Sequence, residues 1–279
     1  MDYIFIADSF VGDGYVGGSE LCNDELINRL RERGHNVVQL LSFFASKNFI
    51  ENSTKDGNYV YIIGNFLCLS LDAQRALEKV KYFIYEHDFK FLKSRDPSYY
   101  NYQKAPDQDI IYRDFYKNAY KIVGQSTRQC NIIKQNLELD NIVVSYNIWN
   151  KKSIDNLREF SNNEKNIDAA IMGHIFAQKN TIGAEKYCVD NNLSYIKIPH
   201  GTEHREFCRQ LSSARNLVFF PQVNETLSRV SVEANCLNTE LITNNNISYL
   251  DEDWSKLRGN QLIDFIEGAA EKTVDIFES

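Results

Sequence analysis

Proline is scarce in this chain, with four in 279 residues, and methionine and tryptophan occur only twice each. So little proline excludes a collagen-like protein. The six cysteines (Cys22, Cys68, Cys130, Cys188, Cys208 and Cys236) include no CxxC pair. Zinc fingers and redox dithiols need such pairs, so the thiols are expected to be reduced and buried as small apolar groups. No apolar run approaches the ~18 residues of a membrane span. Residues 1–8, MDYIFIAD, carry an acid where a signal peptide carries a base, and their apolar run is short. The expectation is a cytoplasmic protein with no membrane partner; the oligomeric state stays open. HExxH, paired-Asp, GxSxG and Ser-His-Asp patterns do not stand out, so metalloenzymes and serine hydrolases lack their parts.

What is present is an ordinary globular composition, 43% hydrophobic and 25% charged. The net charge of −7 is unevenly spread. Residues 75–134 hold 12 bases against 7 acids, together with 12 aromatics from Tyr82 to Tyr120. Bases neutralise phosphates and aromatic faces stack on nucleobases, so this stretch nominates a nucleic-acid contact. A helical face with solvated Lys and buried Tyr accounts for the same composition. The overall negative charge argues mildly against DNA.

The order of elements is more informative. Asp2–Ala7 reads as an apolar strand, followed by the Gly-rich loop 8–18, a helix capped by Ser19 and running through Arg33, and a strand Asn36–Ser42. Further strands are predicted at Tyr59–Gly64, Leu67–Ser70, Tyr82–Tyr85, Lys121–Gly124 and Asn141–Tyr146, with helices at Asp72–Lys79, Ile110–Ala119 and Thr127–Asn136. The polar stretch Lys151–Lys165 reads as a linker. The rhythm then restarts with strands at Asp168–Met172, Ser194–Pro199, Leu217–Pro221 and Glu240–Thr243. Helices are expected at Asn180–Asn191, Glu203–Ser212 and Leu227–Asn235, with an amphipathic helix over 254–277. Alternating strands and helices imply parallel sheets with right-handed crossovers. Two such runs predict two parallel-sheet domains, 1–150 and 151–253, with 254–279 crossing back onto the first. Ligands are then expected beyond the carboxyl ends of the strands, in a cleft between the halves.

Several residues fall at such strand ends. Gly12, Gly14, Gly17 and Gly18 precede a helix start, where backbone N–H groups favour an anion. A tight structural turn uses the same glycines, and the spacing is neither GxGxxG nor a P-loop. Glu225 and Glu233 stand eight positions apart around Thr226-Leu227-Ser228-Arg229. A carboxylate in the turn can accept sugar hydroxyls, and one two turns into the helix can accept a ribose diol. The helix start between them, with Arg229, suits a diphosphate. Lys179, after Gly173-His174, can neutralise a leaving diphosphate. His87 and Asp88 follow a strand of the first half, where a His–Asp bond fixing a loop is the plain alternative. His200 follows a strand of the second half.

At these residues the chain resembles the retaining GT-B glycosyltransferases of the glycogen and sucrose synthase group. Residues 17–37, GGSELCNDELINRLRERGHNV, are similar to that family's opening, Glu225–Glu233 to its E-x7-E motif, and Gly173 and Lys179 to its donor-phosphate segment. Two departures stand out. Thr226-Leu227-Ser228 replaces the family's Gly-Phe-Gly, and His174 replaces its Arg. The runs 85–88, 95–97, 145–149 and 221–233 are similar to small bacteriophage-encoded glycosyltransferases, some of which glycosylate hydroxymethylated pyrimidines in DNA.

The resemblance implies a GT-B α/β fold of two facing Rossmann-like domains and transfer of a sugar from a nucleotide diphosphate-sugar, such as a UDP-sugar, to a hydroxyl. It implies catalytic roles for Glu225, His87 and Asp88. It implies donor binding by Gly17, Gly18, Gly173, His174, Lys179, Thr226, Leu227, Ser228, Arg229 and Glu233, and an acceptor side with Arg95 and Tyr15. No cofactor and no metal are implied, and the acceptor is a hydroxyl, with DNA one candidate. Two other readings stay open: a sugar-nucleotide epimerase or hydrolase of the same fold, and a non-catalytic nucleic-acid or carbohydrate-binding module.

Overall fold

The computed structural model describes every residue except Tyr15, and Asp56 through its backbone alone. The chain divides into two compact units: Met1–Ile148 with Ala270–Ser279, and Trp149–Ala269.

The first unit is a six-stranded sheet. Its strands are β1 (Asp2–Ala7), β2 (Asn36–Leu41), β3 (Tyr59–Ile63), β4 (Tyr82–Tyr85), β5 (Lys121–Gly124) and β6 (Ile142–Val144), in the order β2-β1-β3-β4-β5-β6. Every pairing is parallel; Asp2 pairs Asn36 on one side and Tyr59 on the other. The helices are α1 (Gly18–Glu32), α2 (Lys47–Asp56), α3 (Leu71–Leu77), α4 (Arg113–Lys117) and α5 (Thr127–Leu137). The inner strands are covered on both faces, so successive side chains feed two separate cores. Ile4, Ile6, Tyr61, Ile63, Tyr82 and Ile84 pack with Ala73, Phe115 and Ile132. Tyr3, Phe5, Ile62, Phe83 and Tyr85 pack with Cys22, Leu26 and Leu30 of α1, and with Ala270, Val274 and Phe277. This is why parallel strands read as unbroken apolar runs.

The second unit begins with α6 (Lys151–Phe160), β7 (Ile167–Gly173), α7 (Thr181–Asp190), β8 (Tyr195–Pro199) and α8 (His204–Ser212). Next come β9 (Ala214–Phe219), α9 (Arg229–Cys236) and β10 (Glu240–Thr243), and then α10 (Gly259–Glu278), which continues into the first unit. The sheet order is β10-β9-β7-β8, again all parallel. In both sheets the second strand lies on one side of the first and the third on the other. Each therefore has a topological switch point beside its first strand, where crossover loops diverge and leave room for a ligand.

Several expectations need correction. Residues 47–56, for which no element was expected, form α2, capped by Ser46, whose hydroxyl accepts from Phe49 N–H at 3.2 Å. Leu67–Ser70 is a turn; Ser70 caps α3 instead of ending a strand. The expected linker Lys151–Lys165 holds α6, because Asn150 accepts from Ser153 N–H and Ile154, Leu157 and Phe160 form a buried stripe. The cap of α1 is Gly17, not Ser19. The helix expected over 110–119 shrinks to Arg113–Lys117, since Tyr112 is left-handed at φ 56°. A left-handed Gly259 likewise starts α10 later than residue 254. Among the basic stretch's aromatics, Tyr82, Phe83, Tyr85, Phe89, Phe91, Phe115 and Tyr116 are core. Tyr99 and Tyr120 are exposed, which leaves few faces for stacking on nucleobases. Cys68 is exposed, unlike the other five cysteines.

Candidate active site

In the second unit the sequence-predicted residues gather at the carboxyl edge of the sheet. After β7 the chain turns through a 3-10 segment, Ala177–Lys179. After β9 it runs through Pro221 to Glu225. One backbone bond, Gln222 N–H to Gln178 C=O at 2.7 Å, joins the two loops. Glu225 is held in register by a parallel bridge to Ile247, with Glu225 N–H on Asn246 C=O and Ser248 N–H on Glu225 C=O. Lys179 and Glu225 thereby meet, Nζ to Oε1 at 2.6 Å. Both are partly exposed, so the pair is available to a ligand while each charge is balanced.

The segment between the two acids places a left-handed serine where the resembling family has a glycine. Ser228 takes φ 74°, the left-handed region that glycine enters freely and other residues rarely do. It is the cap residue of α9, and its hydroxyl lies 2.8 Å from that of Ser231. Leu227 is fully buried, so its side chain serves the core and only its backbone faces the loop. Because α9 starts at Arg229 rather than Leu227, Glu233 sits little more than one turn into the helix, not two. It is 5% exposed. Trp149 Nε1–H donates to its Oε1 at 2.7 Å, with His204 Nε2 at 3.5 Å and Arg229 Nη2 at 3.8 Å from the same oxygen. Burial alone would raise the carboxyl's pKa, but His204, Arg229 and Trp149 together hold it below the ordinary value. Glu233 is therefore an ionised acceptor.

His174 stands at the end of β7 with its ring 4.5 Å from that of His200, edge to face. Its Nδ1 accepts from Phe176 N–H at 3.1 Å. Burial, then His200 and Lys179, push its pKa down to about 4, so it cannot replace the charge of the family's arginine at neutral pH. Gly173 sits in a tight place: an added Cβ would lie 3.0 Å from Lys197 Cγ and 3.1 Å from Ile198 C=O, so a larger residue would need those neighbours to shift.

The first unit holds the remaining residues. His87 follows β4. Its Nε2 pairs with Asn23 Oδ1 at 2.7 Å and its Nδ1 with the Gln125 amide. Both contacts suit a neutral imidazole protonated on Nε2, and burial with the Lys90 ammonium lowers its pKa to about 3. Asp88 pairs with the Arg95 guanidinium and lies 3.2 Å from Lys90 Nζ. Arg95, expected on the acceptor side, is thus tied to Asp88. Beneath them Lys90 reaches Glu86 at 2.5 Å, and Tyr116 O–H donates to the same carboxylate. Burial raises the Glu86 pKa despite Lys90. At the start of α1, Gly17 is the cap residue, and its N–H donates to Glu20 Oε2 at 2.8 Å. Gly18 is the first helical residue. Tyr15 lies outside the described residues. Among the described residues no cluster of His, Cys, Asp or Glu has the arrangement of a metal site. No described helix is long and apolar enough to cross a membrane.

Sequence reading missed Trp149 as a partner of Glu233, along with His204, Asn23 and Gln125. Trp149 and Asn23 lay in runs noted for their similarity to known glycosyltransferases, but no motif signalled His204 or Gln125.

No protein-family model and no curated protein matches the chain. Solved structures do. HepE from Anabaena, in complex with UDP, superposes at a TM-score of 0.54 with 12% identity, covering 99% of this chain and 93% of that one. Its UDP-glucose complex gives 0.53, with 12% identity and coverage of 99% and 92%. The pneumococcal O-GlcNAc transferase GtfA, with UDP and GlcNAc, gives 0.50 at 10% identity, covering 83% of this chain and 55% of that one. The fold is GT-B. In the GT-B scaffold each Rossmann-like sheet offers its carboxyl edge to ligands. Both clusters of candidate residues, around Glu225 and around His87, follow the carboxyl ends of strands.

Proposed function

We propose that this protein is a retaining glycosyltransferase that moves a sugar from a UDP-sugar to a hydroxyl acceptor. The observation that carries the reading is the set of groups around the start of α9. Lys179 and Glu225 are paired before it, Arg229 is on its first turn and ionised Glu233 is behind. The likeness to HepE, a GT-B protein solved with UDP and UDP-glucose, supports it.

In this reading Glu233 accepts the ribose diol, Lys179 and Arg229 take the diphosphate, and Glu225 exchanges its bond to Lys179 for sugar hydroxyls. Thr226, Leu227 and Ser228 contribute backbone N–H groups at the helix start. Charge grows on the diphosphate as the glycosidic bond breaks, so cationic and N–H groups placed there lower the barrier most. A leaving phosphate oxygen takes the acceptor's proton on the same face, and no protein nucleophile is needed. Neutral His87 acts as a fixed hydrogen-bonding group, Asp88 orients Arg95, and no metal is required.

A thermal-shift panel of sugar nucleotides tests the donor, and mass analysis of products from glycans, small alcohols and hydroxymethylated DNA then tests the acceptor. Stabilisation by a UDP-sugar, with turnover unchanged by chelators and abolished in a folded Glu225→Ala variant, is expected. No stabilisation by any sugar nucleotide overturns the reading.

A further inference from the structure

Trp149 stands immediately before the cap of α6 and is 1% exposed. It touches both charged groups of α9 at once. Its N–H donates to Glu233 Oε1 at 2.7 Å, and the Arg229 guanidinium lies over its ring, 4.5 Å from the centroid. A guanidinium over an indole face is attracted by the ring quadrupole, more strongly where water is excluded. His204 completes the cluster from α8. Asn156 Nδ2–H donates to its Nδ1 at 3.1 Å, which leaves the proton on Nε2, toward Glu233. The thiols of Cys208 and Cys236 also face the carboxylate; burial first, and then Glu233, push both pKa values up, so they stay protonated.

We infer that Trp149 is a positioning residue of the donor site, with its N–H holding one oxygen of Glu233 and its ring face holding the Arg229 guanidinium. The contacts converge on Oε1, and Oε2 is the oxygen this leaves for a diol. One rigid side chain thereby sets the spacing between the diol-binding carboxylate and the phosphate-binding cation. The inference rests on the donor reading of Glu233 and Arg229 given above.

The test is calorimetric titration of UDP into the full-length protein, its Trp149→Phe variant and its Trp149→Leu variant, over roughly pH 4 to 7. Trp149→Phe keeps a ring face and loses the N–H. It is expected to weaken UDP by about 10- to 100-fold, the worth of one hydrogen bond to a charged group. The acid limb of UDP affinity should also move to higher pH, because Glu233 loses a donor. Trp149→Leu should weaken UDP further. With donor turnover measured, KM should rise more than kcat falls. A purely structural role predicts a lower Tm with unchanged UDP affinity and an unmoved acid limb, and that result overturns the inference while the function stands. Failure of the unmodified protein to bind UDP overturns both.

If Trp149→Phe does not fold, the native protein still decides. Its two indole N–H resonances are assigned with Trp254→Phe, and the Trp149 signal should move when UDP binds. A stationary signal in UDP-saturated protein overturns the inference.

Discussion

Lys179 Nζ stands 2.6 Å from Glu225 Oε1, although 46 positions separate the two residues. The pair neutralises itself, yet both side chains stay partly open to solvent. In the proposed donor reading the cation takes a phosphate and the carboxylate takes sugar hydroxyls.

Removing either partner should therefore have different consequences. Lys179→Ala should weaken UDP binding by about 10-fold, as for loss of a charge-assisted bond. Glu225→Gln should leave UDP affinity nearly unchanged and lower turnover by about 10²- to 10³-fold, the scale of a lost transition-state contact. Calorimetry with UDP and steady-state kinetics separate the two. Equal effects on binding and turnover in both variants would refute these roles.

Ser228 carries the backbone conformation that glycine has in freer turns. Ser228→Val puts a branched Cβ at φ 74° and should cost about 1–3 kcal/mol. Ser228→Gly should stay within about 1 kcal/mol of the parent, since relief of strain is offset by unfolded-chain entropy. Urea denaturation of the two variants measures the difference. A Val variant as stable as the Gly variant would show that this turn is not left-handed in solution.

His87 should make stability depend on acid. Burial and Lys90 hold its folded pKa at about 3, against 6.5 in the unfolded chain. Between those values the unfolded chain binds a proton that the folded chain refuses, so stability is lost as pH falls from about 6.5 towards 3. His174, held at about 4, acts in the same direction. His87→Gln removes one of these terms, so its Tm should fall less steeply between pH 7 and pH 4 than the parent's. Parallel curves would place the His87 imidazole in water.

Phe277 and Arg33 both join the last helix to the first unit, and they should matter very unequally. Phe277 is fully buried against Phe83 and Tyr85, each with ring centroids 5.3 Å away. Phe277→Ala should cost about 3–5 kcal/mol. Arg33 pairs with Glu271, Asp275 and Glu278, all partly exposed. Each exposed pair contributes about 0–1 kcal/mol and fades in salt. Chemical denaturation at low and high salt should find the Arg33→Ala loss small and salt-dependent, and the Phe277→Ala loss large and indifferent to salt.

Much of this architecture is legible in local pattern. β1, β4, β5 and β10 lie where their apolar runs predict. The errors have local causes as well. α6 was hidden by a polar exterior whose buried apolar stripe is Ile154, Leu157 and Phe160, and α2 by having only Ile50 fully buried among its described residues. Glu225, Glu233 and Lys179 could be nominated from spacing, and three-dimensional packing brings them around one helix start.

The amino-acid order by itself determined the run of parallel strands and helices, because a strand covered on both faces must be apolar throughout and each crossover must be long enough to hold a helix. Only the tertiary structure decided which polar groups face one another. Trp149 and Glu233 are 84 positions apart, His87 and Asn23 64. No periodicity reaches across such distances. Strand order brings those groups together, and burial then demands that each donor and acceptor find its partner there.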